Sequence, residues 1–304
     1  MDKASMRTMS RRQFLKAVAV AGGTVLTAGC AGAASSHEPV AEGDIEAYDA
    51  AYGSFDHART LAEISKSTTF VVGVCSDAKP YAFLNGDGNY VGLDAAYAEC
   101  VEWDIGAYVR YVETDPADIG SYLKAHKVDA VICSTALPAA DCLQVTPFVA
   151  SRQAIVTAED AGVKAQGDLT GKKVAVCAGT HAERYMGAEL GGAEVVVYPS
   201  YTTAFQALRL GAVSAVCADQ AIARAWKKGN KGFAVALDNL GEPASGSIQL
   251  APDAEELLPH LNNETFALIK SGQVLNAYNK HVAPNIDGAD YKAILLPAKD
   301  PNSK

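Results

Sequence analysis

A pattern of a helix end, a turn and a buried strand occurs twice in this chain, and it constrains the fold more than any other feature. The first copy is LKAHKVDAVICS at residues 123–134, and the second is LRLGAVSAVCAD at residues 208–219. Two similar apolar runs, at residues 70–76 and 173–179, precede the copies. We therefore predict two α/β lobes, each with a strand–helix–strand core and a mostly parallel sheet.

The stretch FVVGVCSDAKPYAFLNGDGNYVGLD, residues 70–94, predicts how the chain leaves the first sheet. Its β-branched start indicates a buried strand, and the exposed loop that follows contains Pro80. GDGN at residues 86–89 is typical of a tight hairpin, and a helix is expected to begin near Asp94. Because ligands of open α/β sheets lie beyond the carboxyl ends of strands, we expect this corner to face a ligand.

Two extended runs are predicted to cross between the lobes. One is PFVASRQAIV at residues 147–156, and the other lies at about residues 245–251. Two crossovers make a hinge, and a hinge between two lobes makes a cleft that closes. The predicted boundaries are 61–152 plus 251–304 for lobe one and 153–250 for lobe two, with closing helices at about 260–269 and 273–281.

The first thirty residues predict export. SRRQFLK at residues 10–16 is a twin-arginine pattern, and a weakly apolar run follows it, so residues 1–29 are interpreted as a signal peptide. LTAGC at residues 26–30 resembles a lipobox, with Thr27 where leucine is usual. We expect Cys30 to be lipidated and to anchor the protein to the outer face of the membrane, with residues 30–60 as a tether. Simple cleavage before an ordinary cysteine is the alternative.

The net charge and the motifs of the sequence argue against several classes of function. The formal net charge is −9, and residues 30–304 alone carry −13, which argues against nucleic acid as a partner. No apolar run approaches the roughly 18 residues of a spanning helix. No nucleophile–base signature and no phosphate-binding loop rises above chance, so we expect neither catalysis nor a cofactor.

Seven segments of the chain, from about residue 61 to 281, occur in the order found in one protein family. They are VVGV at 71, PYAF at 80, the hairpin and helix start at 86–94, VDAVI at 128, DLTGKKVAVCAGT at 168, ALRLGAVSAVCAD at 207 and SGQVLNAYNKH at 271. On these segments the chain resembles the bacterial extracytoplasmic solute-binding proteins of ABC importers, family 3, which mostly carry amino acids. The resemblance implies a two-lobed periplasmic-binding-protein-like (type II) fold, a small-molecule ligand in the cleft, a membrane permease as partner and a monomeric state.

The resemblance also implies where the ligand binds. In the family, the turn that holds Thr180 binds a ligand carboxylate, hydroxyl and backbone groups at the position of Ser134 and Thr135 assist, and the acid at the position of Asp219 pairs with the ligand's amine. A plain helix N-cap is the alternative for Thr180 and for Asp219, and an ordinary turn for Ser134 and Thr135. His181 is placed at the rim of the cleft.

Three departures from the family pattern bear on the ligand. No arginine lies between Tyr111 and Ser151, where the family has one that grips the carboxylate; Ala78 and Pro116 stand where the family has aromatic residues. We therefore hypothesise an amine-bearing or cationic solute near Asp77, Asp141 and Asp219. Tyr81 and Phe83 are candidates for an apolar or cation–π wall, with packing in the core of lobe one as the alternative.

Six cysteines remain after Cys30, and they allow fifteen pairings. Because the repeat ends neighbouring strands in cysteines, possible disulfides are Cys75–Cys133 in lobe one and Cys177–Cys217 in lobe two. Cys100 is expected to be a core residue. A four-cysteine metal site is disfavoured, since no C-x-x-C pair is present.

Two other functions remain open at this point. An enzyme resembling dehydratases of cyclic carboxylic acids would need an acid/base carboxylate and anion clamps in the cleft. A sensor would need a separate membrane protein as its signalling partner.

Overall fold

The structure is a computed structural model that describes residues 55–189, 191–286 and 294–296. The signal peptide, Cys30 and most of the tether lie outside the described residues. Two lobes are present, and each is built on a mixed sheet with helices packed against it, as the repeat predicts. Residues 55–60 belong to lobe one and not to a tether, because Phe55 N–H donates to the carbonyl of His126 and Arg59 is buried.

Lobe one contains a five-stranded sheet in the order β5–β1–β6–β13–β7, in which β5, β1 and β6 are parallel. A small sheet of β2, β3 and β4 carries the predicted hairpin. The strands are β1 Thr69–Val74, β2 Asp77–Ala78, β3 Ala82–Leu84, β4 Tyr90–Val91, β5 Tyr108–Glu113, β6 Ala130–Ile132, β7 Leu143–Gln144 and β13 Ile248–Leu250. The helices are α1 Leu61–Ser67, α2 Leu93–Ile105, α3 Ile119–Lys124, α7 Leu257–Lys270 and α8 Gln273–His281.

Lobe two contains a six-stranded sheet, in which β10, β9 and β11 are parallel and β8 and β12 run antiparallel beside them. Its strands are β8 Val149–Ala158, β9 Lys173–Cys177, β10 Glu194–Tyr198, β11 Ala215–Asp219, β12 Phe233–Gly246 and β14 Ile294–Leu295. Its helices are α4 His181–Glu189, α5 Tyr201–Arg209 and α6 Gln220–Gly229.

The hinge contains the predicted crossing strand β8, the end of β12, and one strand that the sequence did not predict. The second predicted crossing run, residues 245–251, is divided in the structure between the end of β12 and β13. The end of β12 pairs with Val149 and Ala150 of β8, and β14 Ile294–Leu295 pairs with the same two residues. The predicted boundary after residue 250 is wrong, because β13 pairs with β6 and β7 and therefore belongs to lobe one.

A buried ion pair fixes the start of lobe one to its central strand. Arg59 Nε donates to Asp129 Oδ1 at 2.7 Å, and a second nitrogen of Arg59 contacts Asp129 Oδ2. The N–H of Val71 donates to Asp129 Oδ2 at 2.7 Å. Both charged side chains are almost fully buried, so neither is stabilised by water if the other is removed.

We expect Arg59→Met to lower the free energy of unfolding by about 3–5 kcal/mol, since it leaves the Asp129 carboxylate buried without its charge partner. Lys124→Met is the matched control, because Lys124 pairs with Asp141 at 3.3 Å on the surface. Exposed pairs contribute about 0–1 kcal/mol. Urea denaturation of both variants measures the difference, and equal losses would contradict the assignment.

Candidate functional site

The candidate site is the cleft between the lobes, where the carboxyl ends of β1 and β6 face those of β9 and β11. Backbone groups join the two sides directly: His181 N–H donates to the carbonyl of Thr135 at 3.1 Å, and Leu137 N–H donates to the carbonyl of Gly179 at 2.8 Å. Ala136 and Thr180 form an isolated β-bridge between the lobes. The predicted residues Thr135, Thr180 and His181 are therefore brought together.

Gly179 permits this close approach because it has no side chain. Its φ is +70°, in the left-handed region, and a Cβ built there would lie 2.5 Å from the carbonyl carbon of Pro116 in lobe one. Such a distance is not tolerated when the opposing atom is backbone. Pro116, which stands in place of the family's aromatic residue, thus contacts lobe two through its main chain.

Asp219 lies at the centre of the cleft and is 5% exposed. Its carboxylate accepts the N–H of Ala221 at 2.8 Å and the hydroxyl of Tyr81, across the cleft, at 3.0 Å. The Ser151 hydroxyl also bonds to it. Burial raises the pKa of Asp219 to about 6, although these hydrogen bonds oppose the rise. Asp219 is therefore the N-cap of α6, and its carboxylate also faces lobe one, whereas its pairing with a ligand amine stays a prediction.

A second buried carboxylate, Asp94, fixes the lobe-one side of the cleft. Asp94 begins α2 and accepts the N–H of Ser134 at 3.0 Å as well as the Ser134 hydroxyl. Burial raises its pKa to about 6. From the sequence, Asp94 is predicted only to lie near a helix start. Its role in holding Ser134 links residues 40 positions apart in the chain, for which the sequence carries no local signal.

The contacts of the other predicted site residues differ from one residue to the next. The Thr180 hydroxyl donates to the carbonyl of Cys177 at 2.7 Å, within its own turn. Asp77 Oδ2 accepts the N–H of Thr202, at the start of α5, at 3.2 Å and so joins the two lobes. Phe83 lies on β3, and the Lys79 ammonium lies 4.9 Å from the centre of its ring. Asp141 is not buried among the cleft carboxylates, because it is 82% exposed and pairs with Lys124 on the surface.

His181 and Tyr201 bring further polar groups to the cleft. His181 Nδ1 lies 3.1 Å from a guanidinium nitrogen of Arg184, and burial, assisted by the charge of Arg184, lowers the pKa of His181 to about 4. Tyr201, which sequence analysis missed, is buried, and its hydroxyl has no hydrogen bond of ordinary geometry within the described residues. That hydroxyl lies near Thr135, Cys133, Cys177 and Asp219, whose charges and dipoles act on it.

Two cavities lie along the boundary between the lobes. The larger, about 520 Å³, extends from Asp77 and Lys79 to α5 and α6, where the rings of Phe205 and Trp226 stack at 4.4 Å. The smaller, about 350 Å³, lies beside Gly179 and Lys124. Both volumes lie within the range of small-molecule sites.

The two-lobed architecture and the closed cleft agree with a comparison of the chain with known families. Residues 70–284 match the bacterial extracellular solute-binding proteins, family 3. The chain belongs to this family. It is therefore an extracytoplasmic solute-binding component of an ABC transporter, which captures a small solute between two lobes for a membrane permease.

Individual relatives of this solute-binding protein are amino-acid receptors. It is 28% identical to ABC transporter arginine-binding protein 1 of Escherichia coli over 207 residues, 66% of this chain and 85% of the relative. It is 27% identical to the L-cystine-binding protein TcyJ of Escherichia coli over 225 residues, 72% of this chain and 84% of the relative. The crystal structure of a solute receptor for L-cysteine of Neisseria gonorrhoeae has the same fold, with a TM-score of 0.73 at 24% identity, over 77% of this chain and 97% of the other.

Within the part of the chain that the structure describes, no helix of the solute-binding protein is long and apolar enough to cross a bilayer. Among the same residues, no three His, Cys, Asp or Glu side chains are grouped so that they could hold a metal ion.

The cysteines correct the predicted disulfides. Cys75, Cys133, Cys177 and Cys217 are free thiols. The Cys177–Cys217 prediction is wrong for a geometric reason: Val216 lies opposite Ala175, so Cys217 and Cys177 are offset by one residue. Neighbouring residues of a strand point to opposite faces, and the two thiols pack in different cores. Cys100 is buried, as predicted, but it is disulfide-bonded and not a free core thiol.

Cys75 and Cys133 do lie side by side, as the repeat predicts. Val74 pairs with Ile132, so the next residues, Cys75 and Cys133, continue in register on neighbouring parallel strands. Their thiols are hydrogen-bonded to each other, and both residues are buried. The predicted proximity is confirmed, whereas the disulfide between them is not formed in the structure.

We expect Gly179→Ala to hold the lobes apart, because its Cβ cannot occupy the space next to Pro116. Small-angle X-ray scattering should show a larger radius of gyration than in the wild type. Gly211→Ala is the matched control, since Gly211 has φ +71° and no atom within 4 Å of the added Cβ. Both variants should lose about 1–2 kcal/mol from left-handed backbone strain, but only Gly179→Ala should expand the molecule. Equal radii for the two variants would overturn the role of Gly179.

The raised pKa of Asp94 predicts a pH-dependent stability. A carboxyl whose pKa is about 6 when folded, against about 3.8 when unfolded, binds more protons in the folded state between these values. The contribution of Asp94 to the free energy of unfolding should therefore fall by up to about 3 kcal/mol as pH rises from 4 to 7. Urea denaturation of the wild type and of Asp94→Asn at several pH values measures this contribution by difference. A difference that grows with pH would contradict it.

Proposed function

We propose that this solute-binding protein captures an amine-bearing, amino-acid-like solute and that Asp219 binds its ammonium group. The observation that carries the proposal is the placement of the Asp219 carboxylate, buried at the centre of the cleft with donors on both lobes. An ammonium group supplies hydrogen-bond donors, as the Tyr81 hydroxyl and the N–H of Ala221 do, but with a full positive charge. The arginine-, cystine- and cysteine-binding relatives agree with this choice, since all three named solutes carry an amine.

The remaining contacts follow from the groups around Asp219. The N–H groups of His181 and Leu137, which donate across the cleft, are the donors that a solute carboxylate would meet once the lobes separate. Thr180, Ser134 and Thr135 surround the same space. A carboxylate bound by backbone N–H groups needs no arginine, which accounts for the lack of one between residues 111 and 151.

Tyr81 and Asp77 are proposed to act as the closing contacts of lobe one. The Tyr81 hydroxyl would either donate to Asp219 or be replaced there by the ammonium group of the solute. Asp77 would hold the start of α5. Phe83 is proposed to line the entrance beside Lys79. We further propose that the mature protein is a monomer anchored to the outer face of the membrane through a lipidated Cys30, after twin-arginine export.

Binding measured by thermal shift and calorimetry tests the proposal. L-arginine, L-cystine and putrescine are compared with Nα-acetyl-L-arginine, in which the amine is blocked. We expect at least one unblocked amine to raise the melting temperature and Asp219→Asn to weaken its binding about 100-fold, because one partner of a buried charge pair is lost. Asp141→Asn, on the surface, is the matched control and should not change the affinity.

The affinity for such a solute should also fall as pH falls through 6. Asp219 must be ionised to attract an ammonium group, and its pKa of about 6 sets the point at which protonation competes. Below that pH the dissociation constant should rise by about tenfold per pH unit. Tight binding of neutral amino acids with no response to amines, or binding that is insensitive to Asp219→Asn and to pH, would contradict the proposal.

A further inference from the structure

The paired thiols Cys75 and Cys133 have no part in the function proposed above, and their position calls for an explanation. They end β1 and β6 in register, at the carboxyl edge of the sheet that faces the cleft. Cys75 is 2% exposed and Cys133 is 1% exposed. Two thiols packed against each other at a solute site are capable of chemistry that a pair of small apolar side chains lacks.

Cys133 is the thiol nearer to the other lobe. Its sulfur lies 3.7 Å from the Thr135 hydroxyl, whose backbone carbonyl accepts the N–H of His181 across the cleft. Cys133 also acts electrostatically on Cys177 and on the Tyr201 hydroxyl, both of lobe two. Cys75, by contrast, is surrounded by Cys133, Glu113 and Asp94 within lobe one. A solute between the lobes would therefore reach Cys133 before Cys75.

The closed cleft keeps both thiols out of contact with solvent, since each is almost fully buried. Burial and the neighbouring carboxyl groups raise the pKa of the Cys75 thiol, so little thiolate forms while the lobes are closed. Separation of the lobes exposes this edge to water, which removes the main cause of the shift. The reactivity of the pair is thus coupled to the motion that admits a solute.

We infer that the Cys75–Cys133 pair undergoes thiol–disulfide exchange with a disulfide-containing solute in the cleft. The inference rests on the proposed function for the entry of the solute. Cys133 loses its proton to water and its thiolate attacks one sulfur of the solute R–S–S–R, forming Cys133–S–S–R and releasing RS⁻, which takes up a proton. The Cys75 thiolate then attacks the Cys133 sulfur, forms the Cys75–Cys133 bond and releases the second RSH. Two protein thiols are oxidised while one solute disulfide is reduced to two thiols.

The register of the strands supports the second step. Neighbouring parallel strands lie about 4.8 Å apart, within the range of Cα separations that disulfides span. The two thiols are already in hydrogen-bond contact, so the resolving step needs only a small displacement of side chains. Cys217, on the opposite face of the lobe-two sheet and in a separate core, has no such neighbour and serves as an internal reference.

Intact-mass spectrometry of the reduced protein, after incubation with L-cystine or cystamine, tests the inference. All variants carry Cys100→Ser and Cys142→Ser. Reduction would free Cys100 from its disulfide, and Cys142 is partly exposed, so either thiol could react without a solute entering the cleft. The parent protein should lose the mass of two hydrogens and release two free thiols for each molecule of probe. Cys75→Ser should instead keep half of the probe on Cys133, identified by peptide mapping. Cys133→Ser should form neither product, and Cys217→Ser should behave like the parent.

The other outcomes of these experiments count against either the inference or the proposed function. If the probes raise the melting temperature but both thiols stay reduced, the inference is overturned and the proposed function stands. An adduct that forms equally on Cys75 in the Cys133→Ser variant, or exchange without saturable binding, also overturns the inference. Failure of every amine to bind, measured separately with L-arginine and putrescine, counts against the proposed function. Circular dichroism confirms that each variant is folded, and alanine at position 75 replaces serine if Cys75→Ser is not.

Discussion

The contact between Gly179 and the backbone of residues 116–117 determines how closely the two lobes approach, and the rest of the cleft depends on that distance. With no Cβ at Gly179, two backbone hydrogen bonds form between the lobes, at Leu137 and His181. The same approach brings Tyr81 to Asp219 and Asp77 to the start of α5. Any side chain at position 179 would push the lobes apart and break all four contacts at once. The four contacts therefore form together, and only when the two backbones come this close.

The two buried carboxylates give the cleft its electrostatic character. Asp94 and Asp219 each sit at a helix start, each accept hydroxyl and backbone donors, and each have a pKa raised to about 6 by burial. Asp94 accepts its hydrogen bonds from within lobe one, where it holds Ser134 in place. Asp219 directs one of them across the cleft. Similar local chemistry therefore supports the scaffold in lobe one and makes a contact between the lobes from lobe two.

Much of the fold could be predicted because its signals are local. The repeated strand ends, the hairpin at residues 86–89 and the closing helix at residues 273–281 depend on patterns within a few residues. The position of Asp219 in the cleft could be predicted because an acid ends a buried strand, whereas its role toward a ligand stays a prediction. The bond between Asp94 and Ser134, and the place of Tyr201, depend on distant segments. The error at Cys177 and Cys217 comes from a register offset of one residue, which apolar runs do not encode.

The third strand at the hinge has a mechanical consequence. Val149 and Ala150 are bonded on one side to β12 and on the other to β14, so the connection between the lobes is a narrow three-stranded ribbon. A hydrogen-bonded ribbon resists bending within its own plane, since that shears the bonds on both flanks, but it twists with little resistance. Separation of the lobes should therefore be a screw-like rotation about the ribbon axis. Such a rotation would open one flank of the cleft ahead of the other and give an arriving solute a preferred side of entry.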